Sequence, residues 1–309
     1  MFFVIQLLTG VLLLIYYSPT PETAHESIEF ITTQVPFGWL IRSLHSWSAN
    51  LMIACVLIHF FSVYLMKAYR RPREIMWFSG SALLFIVLGF GFTGYLLPWD
   101  TVAYFATQIG TEIPRSIPII GDFLVNIIRG GEYIAEESLR RMFALHAIIL
   151  PLVSIVLILF HVAVNQIHGT SAPINAKLKG PGIPFYPDFI FRDMIAWLMG
   201  ITILISVTLL FPVTVGPKAD PLASAPVGIK PEWYFLTLYQ TLRFVPPVVF
   251  GISGEVVVNI LVMLAAVGII LVPVIDKHAS RNEPSQIFSL IGIVAILYIV
   301  VSISLAYLT

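Results

Sequence analysis

Four histidines lie within apolar stretches of this chain, where an ionisable side chain is costly and tends to be functional. His45 and His59 share one stretch, and His146 and His161 share another. Fourteen residues of α-helix turn about 1400°, some 40° short of four turns, and rise about 21 Å. Fifteen residues end about 60° past four turns, at a rise of about 22 Å. Each pair therefore falls roughly on one helix face, with one imidazole toward each edge of a hydrocarbon layer. Imidazole suits iron, and two axial nitrogens from facing helices saturate a haem iron, which favours electron transfer over oxygen binding. A single intramembrane histidine would serve equally well in a helix–helix hydrogen bond or a proton path. Two depth-matched pairs point instead to two stacked b-type haems, one held by His45 and His146 and the other by His59 and His161.

The elements that must position these side chains follow from composition. Of 309 residues, 58% are hydrophobic and only 11% are charged, against about 25% charged in soluble domains. Lipid must cover much of this surface. Apolar runs predict an all-α polytopic membrane protein of about seven spans, near 1–17, 38–66, 78–97, 142–166, 189–211, 253–275 and 286–308. The first four form a haem-binding four-helix bundle (residues 1–176), and the last three a second part (177–309). The first run is short for a span, and no basic region precedes it, so it does not read as a signal peptide. Lys67, Arg70, Arg71 and Arg73 crowd the loop after the second span, and Lys177, Lys179, Lys277 and Arg281 fall on that same side if the spans alternate. We term this cation-rich, cytoplasm-equivalent side N. The opposite side, P, takes most of the acids and both long connections, about 98–141 and 212–252. The expected location is a bacterial inner membrane, with the N-terminus at N. Lys and Arg together number 17, as do Asp and Glu, so no nucleic-acid footprint is present. The one cysteine, Cys55, excludes an internal disulfide framework.

Around the histidines, Gly80 and Gly94 of the third span are also fourteen apart. Missing side chains there would let a flat macrocycle approach the backbone, or let two helices pack closely. Arg42, one turn from His45 toward P, is placed to pair with a haem propionate.

The segments Gly38-Trp-Leu-Ile-Arg42-Ser-Leu-His45, Gly94-Tyr-Leu-Leu-Pro98-Trp99-Asp100 and Pro231-Glu232-Trp233-Tyr234 resemble signatures of cytochrome b of the bc1 and b6f complexes. The resemblance covers nearly the whole chain. Seven spans and the fifteen-residue step between His146 and His161 look like cytochrome b6 fused to subunit IV. Phe185-Tyr-Pro187 and Arg192-Asp193 look more like the bc1 pattern at the quinone-reduction site. Two features depart from the family. Ser62 stands where an arginine often follows the second histidine of the second span, which leaves Lys67 or Arg71 for the N-side propionates. Cys55 lies mid-span, so nothing from Met1 onward matches the cysteine that attaches a third, covalent haem near the start of the first span in b6f proteins, and only a stretch upstream of Met1 could carry it.

The resemblance implies quinol oxidation at P. One electron passes to a Rieske iron–sulfur partner and onward to a c-type cytochrome subunit. The other crosses the membrane to a quinone at N, with protons released at P and taken up at N, in a complex that is a homodimer. It makes Glu232 the acceptor of a quinol proton, assisted by Tyr234. Phe92, Tyr95, Pro231 and Phe235 are the expected wall for the quinol ring. Arg192 and Asp193, with His168 nearby in sequence, are the expected N-side quinone residues. Two rival readings, a di-haem anchor for a dehydrogenase and a haem-free transporter with histidine proton sites, leave the Pro-Glu-Trp-Tyr loop unexplained.

Overall fold

The computed structural model describes residues 1–117, 119–172, 174 and 182–308. Among them, six helices are long and apolar enough to cross a membrane, and a seventh apolar helix is shorter. The short helix is α1 (Phe2–Leu14), narrower than the expected 1–17. At 1.5 Å per residue, its 13 residues reach about 20 Å. A second helix, α2 (Ala24–Thr33), stands where a loop was expected. It buries Ala24, Ile28 and Ile31 against the molecule and turns acids such as Glu26 and Glu29 outward.

The two histidine-bearing helices come next. Helix α3 (Gly38–Leu65) carries His45 and His59, and α4 (Glu74–Tyr95) follows it. The long connection after α4 then folds into α5 (Thr101–Glu112), α6 (Gly121–Arg129) and α7 (Glu136–Ala144). Asp100 caps α5 by accepting from the Ala103 amide at 2.9 Å. The buried Arg129 ties the connection together, donating to Thr111 Oγ1 (2.6 Å), the Gln108 carbonyl (2.8 Å) and Glu112 (2.7 Å). Helix α7 runs through a π-turn at Leu145–Ile149 into α8 (Leu150–His168). Three more long helices complete the chain: α9 (Ile190–Leu210), α11 (Gly254–Ile275) and α13 (Gln286–Leu308). Between them lie α10 (Leu236–Phe244), a two-residue hairpin of β1 (Val248–Val249) and β2 (Ile252–Ser253), and α12 (Lys277–Ser280).

Helix α1 packs along α3, and α4 packs along α8, with α3 and α4 in contact. That arrangement is the expected four-helix bundle. The later helices pack onto it, α9 and α13 against α3 and α11 against α4. Both ends are tied across the bundle. At one end Thr101 donates to Pro217 (2.9 Å) and Ala219 to Trp99 (3.0 Å), so the two long connections meet. At the other end Arg73 donates to the His168 and Gly169 carbonyls (3.0 and 3.1 Å), and Arg70 to Asn282 Oδ1 (2.9 Å). The loop after α3 therefore meets the end of α8 and the loop after α11 on one side. Lys177, Lys179 and the 176/177 boundary lie outside the described residues.

Candidate functional site

Across the bundle, the rings of His45 and His146 face each other with centroids 6.2 Å apart. Two metal–imidazole bonds of about 2 Å each, plus the half-width of each ring, fill that distance with one metal ion. The hydrogen bonds of the rings decide which nitrogen is available. Thr9 Oγ1 donates its hydrogen to the Ile5 carbonyl (2.6 Å) and lies 2.9 Å from His45 Nδ1. Thr93 Oγ1 donates to the Gly89 carbonyl (2.7 Å), and the Phe90 carbonyl lies 3.1 Å from His146 Nδ1. Ser79 Oγ donates to the Met76 carbonyl (3.0 Å) and lies 2.9 Å from His161 Nδ1. A hydroxyl whose hydrogen is already committed, like a carbonyl, can only accept. Each Nδ1 must therefore carry the proton, which leaves the Nε2 lone pair of each ring for a metal. His59 is carried by α3 and His161 by α8. The His45–His146 pair fits bis-imidazole haem, and His161 presents its Nε2 in the same way.

The unequal spacings are reconciled by the π-turn. A straight fifteen-residue step would leave His161 about 100° further round its helix than His59 is round its own. The π-turn at Leu145–Ile149 takes up one residue beside His146 and cancels the difference. Pro151 contributes to it, because proline has no N–H to give the Ala147 carbonyl one turn back.

The glycines act on the rings themselves. A Cβ on Gly94 would meet His146 Cε1 at 2.5 Å, and one on Gly80 would meet His161 Cε1 at 3.1 Å. The space expected to admit a macrocycle is thus shared with the imidazoles. Gly10, on α1, faces His45 Cε1 at 3.4 Å in the same way.

A cavity of about 400 Å³ is lined together by Arg42, His45, His146, Tyr95, Asp100, Glu232 and Tyr234. Burial raises the Glu232 carboxyl above its usual range. Tyr234 is raised by its own burial and by the nearby Glu232 charge. Its ring packs on Gly91, where a Cβ would lie 2.7 Å from the phenol. Trp233 Nε1 donates to Asn50 Oδ1 at 2.7 Å, which pins the loop to α3.

Residues 1–169 match the family described as cytochrome b/b6/petB, and residues 218–309 match cytochrome b(C-terminal)/b6/petD. The chain belongs to the cytochrome b family. It is 49% identical over 306 residues to a cytochrome bc complex cytochrome b subunit of Chlorobaculum thiosulfatiphilum, covering 97% of this chain and 70% of that one. It is 42% identical over 172 residues to cytochrome b6 of Synechococcus sp. (strain CC9605), covering 56% of this chain and 79% of that protein. A solved hyperthermophilic respiratory Complex III shares the fold, with a TM-score of 0.80 at 24% identity, covering 98% of this chain and 87% of that one. Family membership makes this a multi-pass, b-haem-binding membrane protein of the bc-complex type.

Other expected cytochrome b positions are distributed unevenly. Phe92 and Phe235 touch edge to face, with centroids 6.2 Å apart. They and Pro231 stand outside the cavity lining. Arg42 donates to the Val213 and Thr214 carbonyls (2.9 and 3.1 Å) while lining the cavity. Arg71 pairs with Glu74 at 3.3 Å and is exposed, and Lys67 faces a groove lined by none of the four histidines. Arg192 and Asp193 are exposed in the first turn of α9. Sequence reasoning missed Thr9, Gly10, Asn50, Ser79, Gly91 and Thr93. His25, on α2, places its Nε2 2.7 Å from the Gly216 carbonyl.

Proposed function

We propose that this chain is the quinol-oxidising, electron-transferring subunit of its complex. In this reading His45 with His146 and His59 with His161 hold two b-type haems. Quinol is oxidised at the P side beside Glu232 and Tyr234, and a quinone is reduced at the N side. The observation that carries the proposal is the single cavity reaching from the His45–His146 pair to Glu232 and Tyr234. Haem, when bound, supplies a reversible one-electron iron couple at each level.

The residues divide the rest of the work. Quinol gives up two electrons and two protons. Glu232, desolvated at the cavity wall, accepts one proton in its carboxylate form. Tyr95 and Tyr234 exclude water and flank the ring, and Phe92, Pro231 and Phe235 support that wall from behind. Arg42 keeps guanidinium N–H groups free for a haem propionate. Gly80 and Gly94 let the imidazoles stand at ligating distance. At N, Asp193 protonates reduced quinone, with Arg192 and His168 near it in sequence. The partners are a Rieske iron–sulfur protein, a c-type cytochrome subunit and a second copy of the complex, in a bacterial inner membrane with the N-terminus at the N side.

Glu232→Gln tests the P-side assignment. Quinol-dependent reduction of cytochrome c should fall roughly a hundredfold, with haem content unchanged. In the wild type the rate should rise with pH as the raised Glu232 carboxyl loses its proton, and that limb should vanish in the variant. Wild-type turnover with an unchanged pH profile would remove Glu232 from the proton path.

A further inference from the structure

Glu232 stands on a loop that is held from both sides. Before it, Pro231 has its φ fixed by its ring, and Lys230 Nζ donates to the Ala306 carbonyl of α13 at 2.6 Å. After it, Trp233–Phe235 form a 3₁₀ turn, closed by the Phe235 amide on the Glu232 carbonyl at 2.8 Å. That turn is fastened to the bundle at two points. Tyr234 packs on Gly91 of α4, and Trp233 Nε1 donates to Asn50 Oδ1 of α3 at 2.7 Å.

The fastening at Asn50 is the directional one. Trp233 otherwise packs on the apolar cluster of Met52, Ile53 and Val87, where an indole N–H without an acceptor is costly. Asn50 is turned to receive it, because its Nδ2 donates to the Ser46 carbonyl one turn back, at 3.0 Å. The carbonyl only accepts and the indole only donates, so a single orientation of the amide satisfies both. Asn50 lies five residues beyond His45 on α3, about 7.5 Å along the helix. It lines the same cavity as His45, Glu232 and Tyr234. One helix therefore carries a cavity histidine and the anchor of the loop that bears the acid.

We propose, on the reading that Glu232 takes the quinol proton, that Asn50 is a positioning residue for quinol oxidation. Through Trp233 it holds Glu232 at the cavity wall, at a fixed height relative to His45. A ring packed on glycine alone is free to slide, whereas two oriented polar groups joined by a hydrogen bond are not. With the bond removed the loop loosens, Glu232 gains water, and the reacting groups lose their alignment.

Steady-state quinol:cytochrome c kinetics of the purified complex across pH test this, with reduced-minus-oxidised haem spectra as the control on assembly. Asn50→Leu should lower kcat about tenfold and leave KM and both haem signals unchanged. The limb on which the rate rises with pH should move to lower pH, because a carboxyl that regains water loses its proton more readily. Trp233→Phe, which removes the other end of the bond, should give the same two changes, and it carries the test alone if Asn50→Leu fails to assemble. Asn50→Asp should restore most of the rate, since a neutral carboxylic acid offers the indole an acceptor and Ser46 a donor. Wild-type kcat and pH limb in Asn50→Leu and Trp233→Phe overturn the proposal. So does a slower rate with the limb unmoved, or Asn50→Asp as slow as Asn50→Leu. Glu232→Gln is measured alongside. If it is slow and lacks the limb while the Asn50 and Trp233 variants behave as wild type, only the role of Asn50 falls; if it too behaves as wild type, the role of Glu232 falls with it.

Discussion

At the scale of single residues, hydroxyl groups decide the chemistry of the imidazoles. Thr9, Thr93 and Ser79 each donate to a carbonyl of their own helix and accept from a histidine Nδ1. Removing one such acceptor lowers the basicity of the ligand and frees its ring to turn. Thr9→Val should therefore weaken haem retention at the His45 level on the order of tenfold and raise that haem's midpoint potential. A potentiometric titration showing no shift would count against the hydrogen bond. Gly94→Ala places a methyl group in the His146 ring and should cost the P-side haem while sparing the N-side one, as read by pyridine haemochrome stoichiometry. Asp193→Asn should slow re-oxidation of the N-side haem by quinone, and wild-type rates would exclude it. The histidines were legible because their type is rare in lipid and their spacing is helical. Their hydroxyl partners were not, because Thr9, Ser79 and Thr93 sit on neighbouring helices, and only packing brings them to the rings.

At the scale of elements, helix register carries the account. The π-turn at Leu145–Ile149 makes a fifteen-residue step equivalent to a fourteen-residue one. Inserting one alanine after Val156, in the regular part of α8, should rotate His161 by about 100° relative to His146. The N-side haem should be lost and the P-side haem kept. Retention of both would show that α8 absorbs the insertion elsewhere. Pro151 was visible in the sequence as a proline inside a span, but a proline alone does not say whether a kink or a π-turn follows. The long apolar runs gave the membrane helices within a few residues, since hydrophobicity over some twenty residues is a strong signal. Helix α2 was missed because its apolar side is short and its other face is acidic, which reads as a polar connection. The meeting of the two long connections at Trp99 and Ala219 was anticipated only as a shared side of the membrane.

At the scale of the whole molecule, two halves matched by two parts of one family pack into one body. The first half supplies the histidines, and the second supplies Glu232 and Tyr234 to the same cavity. Neither half alone would close that site, which explains why the motif Pro231-Glu232-Trp233-Tyr234 could be recognised in sequence but not located. The cationic loops, joined through Arg70 and Arg73 at the other end, give the molecule its second pole. The central claim is that two histidine pairs at two depths each hold one haem. An optical redox titration of the purified complex tests it most directly, with wild type compared to His59→Leu. Two b-type transitions at distinct potentials in the wild type, with only the P-side one surviving in the variant, are the predicted result. A single transition in the wild type, or two unchanged transitions in His59→Leu, would contradict it.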